Sequence, residues 1–123
     1  MSVTQVQIPS TGQIVFTDTA LGSVDAIKNN ACKLFSIAAD NSANGGSVTY
    51  LHLYNQASGN ITLGTTPSDS IIMLPAGAII ELSFFTGNTP GVNFSVALSI
   101  AATTMSGGLT PPSSSVIVSV VYQ

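Results

Sequence analysis

The sequence predicts an all-β domain: an antiparallel β-sandwich of about eight or nine short strands, with jelly-roll-like topology as the leading choice. Three observations predict it. Apolar and polar residues alternate with period two along most of the chain. No segment carries a convincing helical stripe. Clusters of Gly, Pro, Asn and Ser interrupt the alternation at spacings near those of sandwiches and barrels. The strand order within the sandwich does not follow from any of these.

Val3–Ile8 and Gln13–Thr17 are the first two strand candidates, separated by Pro9-Ser10-Thr11-Gly12. They form either a hairpin or an arm lying along a neighbouring subunit. Residues 1–30 are therefore read as an N-terminal arm with short strands, packing on the body or on a neighbour, and 31–123 as the sandwich. A helical turn is expected only around Ser23–Ile27, and it would be too short to stand alone.

Ala31–Ala39 reads as a strand inside a sheet, with Leu34 on one face and Phe35 and Ile37 on the other. Asn44-Gly45 signals the following turn. In Val48–Asn55, Leu51 and Leu53 point to the core, while Tyr50, His52 and Tyr54 line the opposite face. Ile61–Leu63 and Ile71–Leu74 are short strands, the second ended by Pro75-Ala-Gly77. Ala78–Phe85 places Ile80, Leu82 and Phe84 together. Asn93–Ala101 alternates most cleanly, Phe94, Val96, Leu98 and Ile100 against a flat face of Ser95, Ala97, Ser99 and Ala101. Val116–Tyr122 is the last strand.

Composition narrows the function. The 123 residues are one domain's worth, 45% hydrophobic and only 6% charged, against roughly 25% charge in an average soluble domain. Lys28 and Lys33 are the only cations, the net charge is −3 and the pI is near 4.4. Two lysines supply no electrostatic footprint for nucleic acid. The longest apolar run, Ile71–Ile80, is short and interrupted by Pro75 and Gly77, so no membrane span is expected. MSVTQVQIPS lacks the basic and apolar regions of a signal peptide. A mean hydropathy of +0.48 with so little charge favours a surface buried in an oligomer or assembly over a solitary Thr/Ser-coated domain.

Reactive constellations are missing. His52 is the sole imidazole and lies in no G-x-S-x-G context, so packing or interface is its expected role. Cys32 has no CxxC partner and is expected to be a buried, inert thiol. The carboxylates Asp18, Asp25, Asp40, Asp69 and Glu81 are expected to face solvent. Asp69 and Glu81 are the one pair considered for glycosidase chemistry. Asp40 with nearby Asn carbonyls lacks the spacing of a calcium loop. Asn60-Ile-Thr62 and Asn93-Phe-Ser95 match the glycosylation tripeptide without a secretory context. No catalytic, cofactor or metal residue is assigned. Tyr50, Tyr54 and Tyr122 leave a glycan partner open, although no tryptophan is present for stacking.

The succession YLHLYNQAS, ITLGTTPSDSIIMLPAGAIIELSF, GVNFSVALSIAATT, a Gly/Pro loop and a final VVYQ resembles small β-rich virion proteins of tailed bacteriophages. The resemblance runs from Ala31 to Tyr122, and Ala97 stands where that pattern has glycine. It implies a non-enzymatic capsid decoration (cement) protein, a homotrimer on the outside of the shell. The partner would be the major capsid protein, and assembly would take place in the bacterial host cytoplasm. A tail, baseplate or fibre component is the neighbouring reading, and a carbohydrate-binding host-attachment module the one from another class. The expected contact residues are Val3, Val6, Ile8, Val15 and Phe16 in the arm Ser2–Thr17, and Tyr50, His52 and Tyr54 on the strand face.

Overall fold

A computed structural model describes residues 3–8 and 11–123. Ser2 and the turn expected at Pro9-Ser10 lie outside the described residues. The rest is twelve strands and one short 3-10 turn at Ser58–Asn60. The strands are β1 (Val3–Gln7), β2 (Ile14–Leu21), β3 (Asp25–Lys28), β4 (Cys32–Asp40), β5 (Thr49–Tyr54) and β6 (Ser70–Leu74). They continue with β7 (Ile79–Ser83), β8 (Phe85–Thr86), β9 (Thr89–Pro90), β10 (Val92–Phe94), β11 (Leu98–Thr103) and β12 (Val116–Tyr122).

Sheet A has the order β1-β2-β12-β4-β10, with β7 also on β4, and sheet B the order β3-β11-β5-β6. Every pairing is antiparallel. β2 pairs with β12, β3 with β11, β4 with β7 and β10, and β5 with β6. This is one long hairpin rolled up so that its paired arms fall alternately into the two sheets, which is the jelly-roll pattern. Between them Phe16, Leu21, Leu34, Ile37, Leu51, Leu53, Leu74, Leu98, Ile100, Val116, Val118 and Val120 form the core. Each fully buried aliphatic side chain contributes about 1.5–3 kcal/mol.

Several expectations change. The helical turn at Ser23–Ile27 is instead strand β3, because Asp25 and Ile27 point inward and pair beside β11. Leu34 and Ile37 both face the core, since the β4–β12 register skips Phe35: Tyr122 pairs with Leu34 and Val121 with Ser36. The bulge reverses the alternation the sequence implied. Asn93–Ala101 is not one strand. The chain leaves sheet A after Phe94 and enters sheet B at Leu98, with Val96 58% exposed at the crossing. Asn55 Oδ1 accepts from Val96 N and Ala97 N there and holds the crossover. Ile61–Leu63 forms no strand; Thr65 N and Thr66 N fold back onto the Thr62 carbonyl.

The first thirty residues divide. β2 lies between β1 and β12 in sheet A, and Phe16, Leu21 and Ile27 belong to the core. Only β1 keeps the character of an arm. It closes a hairpin on β2 through Ile8 N to Gln13 O, and its five residues are all exposed.

Candidate functional site

The face where Tyr50, His52 and Tyr54 were expected to meet a partner is covered by the chain itself. The register aligns Ser99 with Tyr54, Ala101 with His52, and His52 with Ile71 on the outer face of sheet B. Two loops, residues 55–69 and 104–115, cross over it. His52 is 1% exposed and Tyr54 2%, the two rings stacked at a centroid distance of 6.2 Å. Tyr50 alone stays half-buried. Ser99, Ala101 and Thr103 beneath the loops are fully buried, so the small-residue face is a bed for the loops and not a solvent surface. The loops also interlock: Gly64 has a φ of +81°, and a Cβ there would lie 3.1 Å from Leu109. Both the backbone and the neighbour favour glycine.

His52 fastens both loops. Its Nδ1 lies 2.6 Å from Ser68 Oγ and its Nε2 2.7 Å from Thr103 Oγ1. Thr103 donates its hydroxyl proton to the Met105 carbonyl at 2.7 Å, so its oxygen accepts from His52. Nε2 therefore carries the proton, and Ser68 donates to Nδ1. Burial holds the imidazole pKa below its ordinary value of 6.5. A serine hydroxyl on a neutral imidazole that a third group orients is the arrangement of an activated nucleophile. A cleft of about 330 Å³ opens beside it, lined by residues 64–68 and 106–108. Thr65 N and Thr66 N bond the Thr62 carbonyl, and Gly108 N bonds the Met105 carbonyl. The His52 bonds tie Ser68 of one loop and, through Thr103 and the Met105 carbonyl, the start of the other loop to β5.

The carboxylates separate into three kinds. Asp40 caps its own turn, its Oδ1 accepting from Ser42 N at 2.8 Å, and hydrogen bonding from the Ser42 side chain, then from its backbone, holds the Asp40 pKa below the usual range. Asp69 Oδ2 accepts from Asn55 N at 2.6 Å in a loop of sheet B, while Glu81 lies on β7 in sheet A; they do not face one cleft. Asp18 and Asp25 overturn the expectation of solvent exposure, being 0% and 6% exposed. Alternation carried the signal: Asp18 shares the inward face of β2 with Phe16, and Asp25 that of β3 with Ile27. Among the described residues no group of three or more His, Cys, Asp or Glu is placed to hold a metal. Cys32 is buried and unbridged, and burial raises its thiol pKa.

The outer face of sheet A is the open one. Cross-strand register lays two rows over it. Val6, Val15, Val121, Ser36 and Ser83 form one; Thr4, Thr17, Ser119, Ala38 and Glu81 form the other. Ile117, Asp40 and Ile79 begin a third. A shallow groove of about 290 Å³ runs between Ser119, Val121, Ala38 and Glu81. Val6 is 63% and Ile79 69% exposed, and among the described residues nothing covers them. Of the expected contact residues, Val3 and Val6 are exposed, Ile8 and Val15 half-buried, and Phe16 sits in the core at 1%. Phe16, His52 and Tyr54 are therefore corrected to interior roles. Tyr54 and Tyr122, both at most 3% exposed, present no ring to a sugar.

Comparison with protein-family models, with curated proteins and with solved structures finds no match to this chain. Among the described residues no helix is long and apolar enough to cross a membrane.

Proposed function

We propose that the chain is a non-enzymatic contact module of a larger assembly, and within that class a capsid decoration protein of a tailed-phage particle. The open outer face of sheet A carries the reading. It is flat, built from Val, Thr, Ser and Ala, and along its two rows Glu81 is the only charged side chain. Such a surface can dock against a second sheet or shell surface with little desolvation of charge. Beside it, β1 is an edge strand without charge or proline, so its free backbone edge can add to a partner's sheet. The resemblance of residues 31–122 to phage virion proteins supplies the kind of partner: the major capsid protein, with the chain docking as a homotrimer.

Binding to the assembled shell but not to its free subunits stabilises the shell by mass action, about 2.7 kcal/mol per site at a free concentration one hundred times Kd. The test is addition of the purified chain to shells lacking it. Saturable binding at many copies per particle, with greater survival of heat and osmotic shock, is expected. Binding at a few tail-associated copies with unchanged shell survival would assign the chain to the tail or baseplate instead. Val6→Lys with Val121→Lys should leave the fold intact and abolish shell binding.

A further inference from the structure

Asp18 and Asp25 come from different sheets and meet inside the sandwich. Asp18 sits inward on β2, opposite Val118 of β12 and Val3 of β1. Asp25 sits inward on β3, opposite Ile100 of β11. The chain crosses from one sheet to the other between them, at residues 22–24. Asp18 Oδ1 accepts from Ala20 N at 2.8 Å. Asp18 Oδ2 and Asp25 Oδ2 are buried and receive no donor among the described residues. A buried carboxylate oxygen without a donor is costly, and two facing each other are costlier still. One proton removes both penalties, because the acid form of one group donates to the carboxylate of the other.

We propose that Asp18 and Asp25 share a single proton and form a clasp between the two sheets, which opens at β3 when that proton is lost. Among the described residues no cationic side chain faces the pair. Lys28 is on β3 but at an outward position, and β11 has no titratable residue. On β12 the nearest is Tyr122, four residues beyond Val118, and β1 carries no titratable side chain. Burial raises the Asp25 pKa to about 7, with the hydrogen bond to Asp18 and the Asp18 charge adding to the rise and the chain's amino terminus opposing it. The raised value sets the sign. Stability from the shared proton is complete below the unfolded value of 3.8 and is lost as pH rises through about 7. β3 is the strand that should yield, since it edges sheet B, is held only by β11 and has a register shift between Leu98 and Ser99.

The test uses the full chain. Carboxyl ¹³C shifts followed from pH 4 to 9 should show one group of the pair keeping its proton to near neutrality; loss of both protons below pH 5 would overturn the proposal. Hydrogen exchange, corrected for the intrinsic rate, should show Asp25–Lys28 amides losing about tenfold protection per pH unit as the clasp opens. Asp25→Asn keeps a donor facing Asp18 and should abolish that dependence. Equal pH dependence in wild type and variant would also sink the clasp. His52 titrates in the opposite sense on the far side of sheet B, so global unfolding is compared as wild type against variant. Should Asp25→Asn fail to fold, the wild-type carboxyl titration decides alone.

Discussion

The outer faces of the two sheets start from the same alternating pattern and end differently. On sheet B the outward residues of β5 and β11 lie under loops 55–69 and 104–115, and His52, Tyr54, Ser99, Ala101 and Thr103 are buried. On sheet A no described loop covers the rows led by Val6 and Thr4, which stay open. The sequence placed the aromatic-lined face outside because exposed rings suit an interface. Chain economy explains the reverse: a face rich in aromatics with one two-sided hydrogen-bonding ring can anchor loops, whereas a flat Val/Thr/Ser face offers them little grip. The first face serves the fold, and the second is free to serve a partner.

The strongest test of this contrast concerns the exit of the covering loop. Asn41 Nδ2 donates to the carbonyls of Ser47, Leu74 and Pro75, while its Oδ1 accepts from Asn44 and Thr49. Asn44 in turn bonds Ser114 both ways. Asn41→Ala strands several buried groups at once and should cost about 4 kcal/mol, read by chemical denaturation. Next comes His52→Ala, which leaves a cavity and frees Ser68 and Thr103. A loss of about 3 kcal/mol is expected, with proteolytic cleavage appearing in residues 55–69 and 104–115 before any in β2 or β12. Cleavage spread evenly over the chain would mean that the loops are not a separate cover.

A smaller effect follows from pH. The folded His52 is neutral and its pKa is depressed by burial, so the unfolded chain takes up a proton first. Its contribution is complete above about 6.5 and declines as pH falls from there toward the folded value. Exchange of the covering loops should therefore quicken on acidification in wild type more than in His52→Ala. The least effect on stability belongs to sheet A. Val121→Thr or Ser119→Ala should change it by no more than about 0.5 kcal/mol, and a larger loss would show that this face is less free than its exposure suggests.

Much of the fold was legible. β5, β6, β7 and β12 lie close to where alternation and turn residues put them, because period two marks each strand and Gly, Pro, Asn and Ser mark the breaks between them. The bulge at Phe35 was not legible: one extra residue reverses every later side chain, and only the partner strand β12 reveals the skip. The break at residues 95–97 was hidden for a related reason. A chain crossing between sheets keeps its alternation on either side, and the Asn55 side chain that holds the crossing comes from some forty residues earlier. Asn44 was read as a turn residue, which it is; that it and Asn41 also form a buried hub depends on loops distant in sequence.

By itself the sequence determined the all-β class and the scarcity of charge, since these depend on local period and on composition. The tertiary structure decided which outward face stays open and which polar residues are interior. His52, Asn41, Asp18 and Asp25 look like surface residues one at a time. They become interior because loops and strands from elsewhere close over them, and burial is a property of that closure.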